Sequence, residues 1–179
     1  MANAIFSQTQ LIPASELNPG AASSIRNGII RSLIDLAMKE LAMPESKLIV
    51  RDIRPLGDLD YTYEDWIENV GATAAAFETM TTGTMGDQRY IGIYGIKLKK
   101  DNADVCSQLK INVGGADKAL WHIQSLGKLD DYIGWCPSGV IITQNTIYTI
   151  SRYVRMVSSP FYCQLKGVVV EPRGKVINP

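Results

Sequence analysis

Histidine is almost missing from this chain: His122 is the only one among 179 residues. An imidazole-based metal centre needs several ligands converging on one ion, so a lone histidine leaves that chemistry without its usual donors. Flanked by Trp121 and Ile123 on an expected strand, it reads as a half-buried hydrogen-bonding group rather than a catalytic base. Cysteine is scarce as well. Cys106, Cys136 and Cys163 are widely spaced, odd in number and without a CxxC pair, so no disulfide framework or thiolate cluster is expected and each reads as a small apolar side chain. Net charge is also absent, because 18 Lys and Arg balance 18 Asp and Glu. A zero sum provides no overall field to gather nucleic acid or an anionic membrane, and little repulsion between copies.

Long apolar runs are lacking. No segment approaches the roughly 20 apolar residues of a membrane helix, and the start, Met1-Ala-Asn-Ala-Ile-Phe-Ser, has neither the basic cluster nor the apolar stretch of a secretory signal. A protein soluble where it is made, in the cytoplasm, is expected. The common catalytic signatures are missing too. Gly114-Gly115-Ala116-Asp117-Lys118 does not have the spacing of a phosphate-binding GxxxxGK[ST] loop and reads as a turn, and there is no GxSxG elbow. Asp130 and Asp131 are adjacent, so on a strand they point to opposite faces. Pairing either with Asp117 or Glu171 would suit glycoside hydrolysis, but nothing in the sequence selects a pair. Neither catalytic, cofactor-binding nor metal-binding residues are assigned, and a non-enzymatic protein is expected.

Two features remain as candidate binding surfaces. Asp58, Asp60, Glu64, Asp65 and Glu68 form an acidic run that could offer oxygen ligands to calcium, without the glycine and terminal glutamate of an EF-hand loop. The preferred reading is a solvated turn leading into a short helix over 63–70. Lys97, Lys99 and Lys100, with Tyr90 and Tyr94, make a small basic and aromatic surface of the kind single-stranded nucleic acid uses. A solvated edge strand, where lysines discourage unwanted pairing, is preferred there.

What is present is a packed domain. A hydrophobic content of 46% with 20% charged residues supports a core of ordinary size and excludes a disordered chain. Residues 1–22 show no sustained period and read as an arm with apolar anchors Ile5, Phe6, Leu11 and Ile12, which are the candidate assembly contacts. From 24 to 43, Ile25, Ile29, Leu33, Leu36, Ala37 and Leu41 recur at helical spacing, with Ser23 or Ser24 as cap and Pro44 as terminator. A mixed segment follows over 44–86: a strand near 47–53, a turn at Pro55-Leu56-Gly57-Asp58, and a stretch from Ala72 to Thr84 that fits helix or strand.

From 87 to 170 the texture is β. Candidate strands lie at 90–100, 105–113, 119–123, 132–135, 139–143, 146–157 and 161–170, with a tail over 171–179. That spacing is the signature of an antiparallel β-sandwich or barrel. The fold expected is therefore mainly β with an N-terminal helix: one domain over 23–179, built as an antiparallel sandwich, with a single jelly roll as the specific arrangement.

An arm anchored by Ile5 to Ile12, an amphipathic helix, and short strands closing with the pair 146–157 and 161–170 resemble the layout of the small single-jelly-roll major capsid proteins of tailless icosahedral viruses with an internal membrane. The resemblance implies a coat subunit without catalytic residues or cofactors, located in the virion. Its partners would be copies of itself, other coat subunits and an internal membrane surface, with no sequence-specific binding of nucleic acid. A ligand- or carbohydrate-binding sandwich, using Trp66, Trp121 or Trp135 as a stacking platform, is the alternative. A cupin-type enzyme fits less well, since its metal site uses several histidines.

Overall fold

The computed structural model describes residues 11–99, 104–128 and 132–175. Two antiparallel sheets pack as a sandwich, and one long helix lies on the outer face of the larger sheet. The N-terminal elements are β1 (Ile12–Pro13), α1 (Ala21–Leu41), β2 (Leu48–Asp52), α2 (Pro55–Leu59), β3 (Ile67–Asn69) and β4 (Phe77–Thr84). They lead into β5 (Tyr90–Leu98), β6 (Cys106–Val113), β7 (Ala116–His122), α3 (Gln124–Lys128), β8 (Ile133–Ile142), β9 (Ile147–Val154) and β10 (Pro160–Pro172). The first sheet runs β1-β8-β5-β10-β2, with β3 also on β10; the second runs β4-β9-β6-β7.

The interior of the sandwich follows from period-two alternation. On β6, Leu109, Ile111 and Val113 are buried while Lys110 and Asn112 are half-exposed, and on β5 Ile96 and Leu98 face the same core. Trp121, Tyr148, Phe161 and Leu165 fill the space between the sheets. The opposite face of the first sheet is apolar too, because α1 covers it. Ile29, Leu33, Ile34 and Ala37 meet Leu48, Tyr90, Tyr94, Val168 and Val170 in a second core, and each fully buried aliphatic side chain there is worth about 1.5–3 kcal/mol. Close approach of helix to sheet depends on two glycines. A Cβ on Gly92 would collide with Ile29, and one on Gly139 would lie 2.6 Å from Ile29 Cδ1.

The element boundaries differ from the sequence reading in several places. The helix begins at Ala21 behind Gly20, whose φ of 84° is left-handed, and no serine caps it; Ala42, also left-handed, ends it ahead of Pro44. The turn expected at 55–58 is a one-turn helix, favoured by Pro55 at its first position. Over 63–70 the expected helix is replaced by β3, because Ile67 and Glu68 pair with Tyr162 and Phe161. The two strands expected at 132–135 and 139–143 form one strand, β8, which passes Pro137 by a shift in its register with β5 between Ile93 and Gly95. The sandwich also recruits β2, β3 and β4 from the mixed segment, so it begins well before residue 87.

Candidate functional site

The arm's anchors divide. Leu11 is buried in the sandwich core, and Ile12 and Pro13 pair with Trp135 and Gly134 of β8. These two anchors therefore belong to their own domain. Ile5 and Phe6 lie outside the described residues, as do Lys100, Asp130 and Asp131.

The acidic run does not converge on one point. Asp58 turns inward, and its fully buried carboxylate accepts hydrogen bonds from Arg51 Nη1 and Nη2, both at 2.6 Å, and from the Arg54 amide at 2.7 Å. Glu171, equally buried, accepts from Arg51 Nε at 2.8 Å and Arg89 Nε at 3.0 Å. Hydrogen bonding to Asp58, ahead of that to Glu171, raises the pKa of the Arg51 guanidinium above its already high value against the cost of burial. This network ties β2, α2, the segment before β5 and the end of β10 together at one end of the sandwich.

Asp60 accepts from Tyr148 Oη at 3.0 Å, while Glu68 goes to a second buried cation. Arg152 is 1% exposed. Its guanidinium donates to Glu78 at 2.9 Å and to the Asn69 carbonyl at 2.9 Å, lies 3.4 Å from Glu68, and sits over the Phe161 ring. Burial pushes Glu68 above the usual carboxylate range, while hydrogen bonds from Arg152 and the Gly71 amide hold Glu78 below it despite partial burial. Among the described residues, no three of His, Cys, Asp and Glu come together as a metal-binding group.

The remaining candidates are accounted for singly. His122 is exposed, with Gln108 Nε2 at 3.4 Å from its Nδ1. All three cysteines are free and buried, and burial pushes the Cys106 thiol up to about 12. Trp121 is fully buried, Trp66 meets Tyr61 edge-on, and Trp135 stacks on Tyr94 with centroids 5.8 Å apart. None of the three is an open stacking platform. Gly114 and Gly115, both at positive φ, form the turn from β6 to β7. Lys97 and Lys99 are exposed; Lys97 lies on β5, an interior strand between β8 and β10, so it does not guard an edge, and Lys99 follows the strand's end.

The surface offers contact chemistry. β2, β4 and β7 each have one side that pairs with no other described strand. The second sheet turns outward a face rich in hydroxyls and amides. Thr82 and Thr149 hydroxyls meet at 2.9 Å, Asn112 donates to Asp117 at 3.0 Å, and Phe77 and Tyr153 pack edge to face beneath Lys110. Ile147 is 62% exposed at one end of this face, and Met156 and Val157 are exposed just past the other end of β9. Exposed apolar side chains beside unpaired strand edges are what interface cores are made from. Only the apolar pattern of these strands was legible in the sequence; which strands become edges depends on sheet order.

No known protein-family model matches the chain, and no curated protein sequence matches it.

Proposed function

We propose that the protein is a non-enzymatic structural subunit that self-assembles in many copies, as the coat subunit of an icosahedral virus. The observation that carries this reading is strand order. With the short β1 and β3 set aside, the long strands number one to eight along the chain. They then read six-three-eight-one in the first sheet and two-seven-four-five in the second. That order is the one expected of two Greek keys wrapped into a jelly roll, an architecture used by coat proteins, lectins and cupins. Trp121 is buried, and Trp66 and Trp135 are half-buried against Tyr61 and Tyr94, which favours the coat over a sugar-binding module, since a stacking platform needs a freely accessible ring. The single exposed histidine gives no support to a cupin centre.

Assembly would use the unpaired sides of β4 and β7, the outer face of the second sheet and the exposed Ile147, Met156 and Val157. α1 already covers the outer face of the first sheet, so copies would meet through the second sheet and the ends of the sandwich. Balanced charge suits such packing because copies repel one another little. The test is sedimentation of the purified protein over a hundredfold range of concentration, with negative-stain microscopy of the heaviest fractions. Regular closed or sheet-like assemblies are expected. A strict monomer at the highest concentration that binds an oligosaccharide would replace this reading with the sugar-binding one.

A further inference from the structure

We propose that Lys97, Lys99 and Lys166 form a track that binds the phosphates of single-stranded nucleic acid without reading its sequence. Lys97 lies on β5, where it pairs with Gln164 of β10, and Lys99 follows directly after the strand's last residue; Lys166 lies opposite Gly95, one step further along the same face. Their neighbours Ile96, Leu98 and Leu165 point into the core, so all three ammonium groups emerge on the outward face. Alternate residues on a strand are about 7 Å apart, which makes the three a line rather than a cluster. At Lys97 the chain is flanked by β8 on one side and β10 on the other, so protection of a sheet edge does not explain that lysine.

Among the described residues, the salt bridges engage none of the three. Lys166 is half-buried over the Trp135 ring at 5.2 Å, and Lys99 lies over Tyr162 at 5.0 Å. Burial and the nearby Lys97 lower the pKa of Lys166 against the opposing pull of Asp52, so an added anion beside it stabilises the charged form. The rings support lysine stems and Trp135 is also stacked on Tyr94. Bases have no open platform, and the phosphates are the groups recognised.

The position of α1 selects the polyanion. The helix covers Tyr90, Tyr94, Val168 and Val170 on this same face, and the lysines begin where that cover stops. With its side chains a helix is about 10–12 Å across, so the track is a floor at the foot of a wall. A flat bilayer or a stiff duplex cannot settle onto such a floor, whereas a flexible single strand can follow it.

The experiment is fluorescence anisotropy of the intact protein with labelled 20-nucleotide oligo-dT and mixed-sequence oligonucleotides, between 20 and 200 mM salt. Binding indifferent to sequence is expected, with log K falling against log salt at a slope of about −2, as three contacts at roughly 0.7 each require. Lys97→Gln with Lys99→Gln, both at exposed positions outside the core, lowers the slope by about 1.4 and weakens binding roughly tens of fold at low salt. Adding Lys166→Gln removes what remains, while Lys118→Gln on β7 changes nothing. Unchanged affinity in the double variant with a native melting profile overturns the proposal. So does absence of binding at 20 mM salt, or lysine-dependent capture by phosphatidylserine vesicles in place of the oligonucleotide.

Discussion

Replacing Asp58 by asparagine keeps the shape of the side chain and removes its charge from a site with no solvent exposure. The carboxylate receives two hydrogen bonds from Arg51 and one from the Arg54 amide, all between 2.6 and 2.7 Å. Asparagine has one acceptor oxygen and a donor NH₂, so at least one of these donors is left facing another donor. Of the two carboxylates that hold Arg51, only Glu171 is then left, and it is shared with Arg89. Breaking a buried ion pair on one side costs about 3–5 kcal/mol, because the surviving charge stays desolvated. Urea denaturation measures this directly. With a slope of about 2 kcal/mol per molar for a domain of this size, the midpoint should fall by roughly 2 M with the slope unchanged. Combining Asp58→Asn with Arg51→Gln should cost less than the two single changes summed, since both partners then leave together. A loss below about 1 kcal/mol for Asp58→Asn would mean the pair is worth no more than a surface ion pair, and the network would not be what fastens this end of the sandwich.

Gly139→Ala places a Cβ at a φ of 58° and within 2.6 Å of Ile29 Cδ1; left-handed strain plus overpacking should cost about 2 kcal/mol or more in thermal or urea melts. A chain beginning at residue 11 is the reference for removal of residues 11–20. One beginning at residue 21 should be clearly less stable, because Leu11 leaves the core and β1 leaves β8. Glu78 has a lowered folded pKa, so its contribution is present above the unfolded value near 4.3 and is lost as pH falls through the folded value. Glu78→Gln should therefore flatten the loss of stability on acidification below about pH 4, measured by melts at stepped pH.

Much of the architecture was legible because it rests on local periodicity. The stripe from Ile25 to Leu41 needed only helical spacing, and alternation marked β5 and β6. The misread segments are those where distant partners override local preference. Cys136-Pro137-Ser138-Gly139 looks like a strand breaker, yet β8 continues through it because β5 holds it on both sides of the irregularity. Ile67 and Glu68 are strand residues because β10 reaches them. The buried ions were invisible for the same reason: Arg51 meets Glu171 from 120 residues away, so an acidic run that looks solvated supplies one buried carboxylate, Asp58. Lys97 and Lys99 were visible as residues, but whether β5 lies at an edge or in the middle of a sheet is fixed by topology, which alternation does not encode.

The most direct test of the account is the state of the purified protein at rising concentration, followed by sedimentation and by electron microscopy of the particles formed. Assembly through the second sheet predicts large regular particles. It also predicts that Ile147→Asp combined with Met156→Asp, at two exposed positions, leaves folded subunits that no longer assemble. A protein that stays monomeric throughout, or one whose assembly ignores both substitutions, would contradict it.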